Sequence, residues 1–175
     1  YSEGGVMIAS NGDIYYHSNR YGDDGKFDTD IYRNRERLPF NDATEEQNPH
    51  YCEVTKDLVF DIGDREIWTF KDGKKWKLGL PFNVPGTSSF QPYLTPDCQT
   101  MYFTSNRGDV ASRGPVIYRT TRTKDGWTPP APVVWAKVGV GEPSLTADER
   151  YLFFVQLFRS RDGSHNSDIF FTQKR

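Results

Sequence analysis

The sequence predicts an all-β chain of four stacked antiparallel repeats, and three observations carry that prediction. Aromatic residues make up 15% of the 175 residues against an ordinary 26% charged, which suits many short, half-buried strands better than helices. No segment carries an extended helical stripe; Thr44 to Gln47 has room for one turn at most. Finally, the strand cores Ile14-Tyr15-Tyr16, Leu58-Val59-Phe60, Met101-Tyr102-Phe103 and Leu152-Phe153-Phe154 lie 44, 43 and 51 residues apart, and the entry positions Gly5, Pro49, Pro92 and Pro143 keep the same spacing. A period near ~40 to 45 residues marks supersecondary units that cannot bury both faces alone and therefore stack.

In the first repeat, Gly4 to Ala9 form a strand and Asn11-Gly12 a tight hairpin turn. A long loop from Ser18 to Thr29 then leads to a third strand at Asp30 to Arg33. Leu38-Pro39-Phe40-Asn41 closes the unit, and the same words close the second repeat as Leu80-Pro81-Phe82-Asn83. Third strands share an Ile followed by an aromatic: Ile31-Tyr32, Ile67-Trp68, Ile117-Tyr118 and Ile169-Phe170, with the aromatics expected between neighbouring units. Lys71-Asp72-Gly73 and Lys124-Asp125-Gly126 turn into fourth strands carrying Trp76 and Trp127. Pro129, Pro130 and Pro132 place that fourth strand on the outer edge, because proline has no N–H for a ladder. Asp97 and Asp148 are expected to fix the turns between first and second strands. The fourth repeat reaches Arg175 where the turn to its outer strand is due.

Four-stranded antiparallel units of this kind are the blades of a β-propeller. The chain is therefore read as one domain over 1–175, with blades at 3–41, 47–83, 90–134 and 141–175, the last lacking its outer strand. A small closed ring is the first expectation; an open arc, or a dimeric ring in which a second copy supplies the missing edge, are the alternatives.

The repeated words are more specific than the composition. Glu or Gln before Pro, Leu-Thr-x-Asp, an aromatic strand, Ser-Asn-Arg-Gly and Asp-Ile-Tyr or Asp-Ile-Phe together resemble the WD-like propeller repeat of TolB-type proteins. Gln91 to Gly108 and Glu142 to Asp168 match it best, followed by Ser18-Asn19-Arg20 with Asp30-Ile31-Tyr32; the second repeat is the most degenerate. The resemblance implies a periplasmic or secreted protein of the bacterial envelope that binds a protein or polysaccharide. It departs from the family in blade number, since TolB-like propellers commonly have six.

Lys and Arg number 22 against 24 Asp and Glu, a net charge of −2, so no basic surplus points to nucleic acid. No run approaches the roughly 20 apolar residues of a membrane helix, and membrane insertion is not expected. Cys52 and Cys98 fall near the same end of adjacent repeats, where a disulfide is geometrically allowed; no spacing rule supports one, and two separate thiols are the ordinary reading.

Ligands of propellers gather where the strand-one entries and the loops between strands two and three open around the axis. The candidate binding residues there are Arg20, Asn48, Gln91, Asn106, Arg107, Glu142 and Arg159, a rim of amides, guanidiniums and one carboxylate suited to a polar or anionic group. Each has a competing role in satisfying loop backbone. His50 is expected on the axial strand, facing the channel or packed in the core. Asp23 to Asp30 is the densest carboxylate cluster and a weak calcium candidate, out of register with an EF-hand and interrupted by Lys26. His17, His50 and His165 lack metal-ligand spacing, so no cofactor is expected. Trp135 and Phe158 could offer isolated platforms for a sugar ring.

No Gly-x-Ser-x-Gly elbow, P-loop or dinucleotide fingerprint is present. The reading is a non-catalytic binding or scaffold propeller, uncertain as to enzyme activity but leaning against it. The alternative is a small carbohydrate-active hydrolase or lyase pairing Glu142 with Glu3 or Asp64, since glycoside chemistry needs two carboxyl groups roughly 5 to 10 Å apart.

Overall fold

The computed structural model describes residues 1–20, 28–160 and 162–173. The first sheet contains β1 (Glu3–Ile8), β2 (Ile14–Ser18), β3 (Asp30–Arg33) and β4 (Glu36–Arg37). The second contains β5 (Glu46–Tyr51), β6 (Leu58–Ile62), β7 (Glu66–Lys71) and β8 (Lys74–Lys77). In the third, β9 (Ser89–Leu94), β10 (Thr100–Ser105) and β11 (Val116–Thr123) are followed by β12 (Gly126–Trp127) and β13 (Ala131–Val134), which share the outer edge of β11. The fourth holds β14 (Val140–Leu145), β15 (Tyr151–Arg159) and β16 (His165–Gln173), and has no outer strand among the described residues. Every pairing is antiparallel, and all but that of β11 with β13 join strands consecutive in the chain. The sheets stand around a common axis with β1, β5, β9 and β14 innermost: a four-bladed β-propeller. Thr44 to Gln47 forms no helical turn; Glu46 and Gln47 already belong to β5.

Three apolar cores lie between consecutive blades. Tyr15, Ile31 and Phe40 meet Leu58 and Phe60 between the first and second. Val59, Ile67 and Phe82 meet Leu94, Met101 and Phe103 between the second and third, and Tyr102 and Ile117 meet Val140, Leu152 and Phe154 between the third and fourth. A strand covered by blades on both sides has no solvent face, which is why β10 is buried throughout and shows no alternation. Among the described residues, packing runs from blade one to four, with no comparable junction between the fourth blade and the first. Val6 and Ile8 on one flank, and Ile169 and Phe171 on the other, are accordingly more than 60% exposed.

The asparagine of each Leu-Pro-Phe-Asn word has a defined task. Asn41 Oδ1 accepts from the Ile31 N–H at 3.0 Å while its Nδ2 donates to the Ile31 carbonyl at 2.7 Å. Asn83 does the same to Ile67 at 2.9 and 2.7 Å. The preceding Phe40 and Phe82 are driven into the interblade cores.

Each first strand carries a β-bulge at its axial end, and the bulged residue has a left-handed backbone: Gly5 (φ 56°), Asn48 (φ 51°), Gln91 (φ 52°) and Glu142 (φ 55°). This corrects the entry spacing. Gly5 is the counterpart of Asn48 rather than of Pro49, and the first interval is 43 residues. At Gly5 a side chain is excluded outright, since a Cβ would lie 2.8 Å from both Asn48 Cα and His17 Nδ1.

Cys52 and Cys98 are bridged, against the expectation of separate thiols. Cys52 directly follows β5 and Cys98 lies in the turn from β9 to β10; packing of blades two and three brings their Cα atoms to 6.0 Å apart, with both residues 1% exposed. A bridge spanning 46 residues restricts the unfolded chain by about 4 kcal/mol in the loop-entropy treatment. The double substitution Cys52→Ser, Cys98→Ser should lower the unfolding free energy by about 2 to 4 kcal/mol in urea titration; an unchanged midpoint would show that the bridge contributes nothing.

Candidate binding site at the propeller axis

The inner strands enclose an axial cavity of about 870 Å³, lined from all four blades by Glu3, Gly5, Met7, His17, Asn48, His50, Glu53, Gln91, Tyr93, Glu142 and their strand neighbours. Its walls follow from two repeated interblade bonds. At the bulge, the backbone N–H turned outward by the left-handed residue is received by a side chain of the preceding blade. His17 Nδ1 accepts from Asn48 N at 3.0 Å, Asp61 Oδ2 from Gln91 N at 2.8 Å, and Gln91 Oε1 from Glu142 N at 2.9 Å. The members are linked laterally, since Asn48 Nδ2 donates to Asp61 Oδ2 at 2.8 Å and Thr104 Oγ1 to Gln91 Oε1 at 2.9 Å. Lower on the inner strand, Met7 Sδ accepts from Tyr51 N at 3.0 Å and His50 Nδ1 from Leu94 N at 3.3 Å.

These bonds set the electrostatics. Both histidines accept through Nδ1, which fixes the neutral tautomer with the proton on Nε2. Burial pushes the His50 pKa down to about 4 and lowers that of His17. His50 is half-buried in the wall of the cavity, tilted on Tyr93 with ring centroids 4.5 Å apart. Burial pushes Asp61 the other way, up to about 7, against three donated hydrogen bonds that favour the charged form.

Of the residues predicted to bind, Asn48, Gln91 and Glu142 line the cavity and occupy the bulges of consecutive blades. Arg20, Asn106 and Arg107 lie outside it, in contacts of their own. Arg20 bridges Glu3 at 2.7 Å and stands 4.4 Å over the Tyr32 ring. Asn106 Oδ1 accepts from Ser88 N at 2.7 Å and closes its loop. Arg107 stands over the rings of Phe103 and Tyr118 at 4.9 and 4.6 Å, donates to the Phe82 carbonyl at 3.1 Å, and pins the second blade's closing segment to the third. Arg159 ends β15, its backbone opposite His165. Asp97 and Asp148 accept from Thr95 and Thr146 hydroxyls at 2.6 Å within their turns. Most of the acidic stretch from Asp23 lies outside the described residues; Asp30, at its end, is held by Arg37 at 2.6 and 2.8 Å. No metal-holding group of three or more His, Cys, Asp or Glu is present among the described residues. Residues missed from the sequence are His17, Asp61 and Thr104, which occupy one position of the second strand. Their common task is invisible in their types; only the repeat alignment points to it.

Neither a protein-family model nor a curated protein matches the chain. Solved structures do. TolB from Acinetobacter baumannii is similar over 96% of this chain with a TM-score of 0.63 and 17% identity, a thermostable family-43 glycoside hydrolase over 94% with 0.52 and 13%, and the tricorn protease over 96% with 0.50 and 9%. The chain spans 40% of the TolB chain, 69% of the hydrolase and 17% of the tricorn protease. At these identities the likeness is one of fold, and it agrees with the propeller read from the strands.

Two measurements test these interblade contacts. Folding raises the Asp61 pKa, so its contribution to stability is fully present below pH ~4 and is lost as pH rises through about 7, at roughly 1.4 kcal/mol per unit of displacement. The stability of Asp61→Asn relative to the native chain should therefore rise between pH 4 and 8; a pH-independent difference would show an unperturbed carboxylate. Arg107→Ala should cost about 2 kcal/mol or more in unfolding free energy through the lost ring contacts and the unpaired Phe82 carbonyl, and a thermal midpoint equal to the native one would refute the clamp.

Proposed function

We propose that the chain is a non-catalytic binding propeller, acting outside the cytoplasm, that takes a segment of a protein partner at the mouth of the axial cavity. The observation that carries this reading is the disposition of the polar groups. His17, His50, Asp61 and the Gln91 carbonyl are committed to holding neighbouring blades together. Glu142, by contrast, is exposed at the rim of the cavity, where it can meet a partner. The fold likeness to TolB supports a binding role, and the buried disulfide supports an oxidising compartment. A photo-crosslinker at Glu142 should capture a protein partner from envelope extract, and Glu142→Lys should weaken that purified partner by about tenfold or more without changing the unfolding midpoint. Undiminished affinity in Glu142→Lys would remove the rim from the interaction.

A second reading has its own support. Glu3, Glu53 and Glu142 all line the cavity, and the fold is shared with a family-43 glycoside hydrolase. Turnover of any member of a polysaccharide panel, abolished in Glu142→Gln, would replace the binding reading with a carbohydrate-active enzyme.

A further inference from the structure

Away from the axis, blades two and three part at the end that carries the disulfide and leave a cleft of about 250 Å³. Val59, Leu78 and Met101 form its apolar lining, and two indoles flank it: Trp76, 43% exposed, and Trp127, half-buried with the Arg122 guanidinium 4.6 Å over its ring. Asp57 lies among Lys71 Nζ at 3.4 Å and Arg122 Nη2 at 3.5 Å. Both contacts are long, so both cations keep donors for another acceptor. Two cations against one carboxylate leave one positive charge in surplus.

Thr69 supplies an independent observation. It is 3% exposed, lines the cleft, and its hydroxyl has no hydrogen-bond partner. A buried hydroxyl left unpaired is costly, and a group entering the cleft would satisfy it. The frame around it is fixed. Arg122 Nε donates to the Cys98 carbonyl at 3.3 Å, Thr55 Oγ1 donates to Asp57 at 2.7 Å, and the disulfide ties the two turns together.

We propose that this cleft binds a single acidic sugar residue, a pyranose ring bearing a carboxylate. The Trp76 indole suits a C–H face of the ring, Trp127 walls the cleft with Arg122 over its own face, Thr69 and Asp57 suit the ring's hydroxyls, and Lys71 and Arg122 receive its charge. The volume lies just below the usual range for ligand pockets, roughly 300 to 1,000 Å³, and so takes one ring rather than a chain. A bare anion would leave the Trp76 indole unused, and a neutral sugar would leave the surplus charge unmet.

The test is titration of the ¹⁵N-labelled protein with sodium glucuronate, read at the indole N–H signals. Those of Trp76 and Trp127 should move together and saturate, while Trp68 and Trp135, which do not line the cleft, stay in place. Glucose and acetate should each bind about tenfold or more weaker. Thr69→Val, which keeps the side-chain shape, should weaken glucuronate by roughly three- to tenfold while leaving the free protein at least as heat-stable as the native chain. Trp76→Ala should weaken it by about tenfold or more. Immobile Trp76 and Trp127 signals, an equal response to glucose or acetate, or undiminished binding by Thr69→Val would each overturn the proposal and leave a cleft that holds water.

Discussion

A peptide N–H turned out of its own sheet by a left-handed residue must find an acceptor elsewhere, and in this propeller it finds one on the preceding blade. His17, Asp61 and Gln91 each receive such an N–H, so the irregularity that interrupts one sheet is the bond that joins it to the next. Apolar burial between blades supplies most of the driving force but is tolerant of angle. The hydrogen bonds are directional, and they set how closely consecutive inner strands approach the axis. Cavity width, the meeting of Cys52 with Cys98, and the buried states of His50 and Asp61 all follow from that approach.

The bonds also account for the unlike chemistry of the first and fourth blades. Val155 occupies the position held by His17, Asp61 and Thr104 in the earlier blades and has no acceptor to offer. Consistent with that, the outer flank of the fourth blade shows Ile169 and Phe171 to solvent, and the flank of the first shows Val6 and Ile8. Three junctions share one design, and the fourth blade does not continue it.

Function divides along the same line between committed and uncommitted groups. At the axis, most polar side chains serve the architecture, and in the proposed reading the rim is left to recognise a partner. Between blades two and three the situation is reversed: Thr69 is buried without a bond, and Asp57, Lys71 and Arg122 sit at loose distances. A fold held together by interblade polar contacts offers binding capacity where those contacts are incomplete.

Much of this architecture was legible in the residues. The spacing of aromatic strand cores, the repeated Leu-Pro-Phe-Asn word, the prolines before the outer edge and the Thr-x-Asp turns determine the strands and their order, because each depends on neighbours within one repeat. The tertiary structure alone decided the rest. Arg107 reads as a ligand contact until Phe103, Tyr118 and the Phe82 carbonyl are seen around it. The one-residue shift at Gly5 follows from bulges whose left-handed residues are Gly, Asn, Gln and Glu, and the disulfide from the packing of blades two and three. Chain-local chemistry is written in local words; a contact between blades depends on residues about 43 positions apart, and the angle that brings them together is a property of the packed sheets.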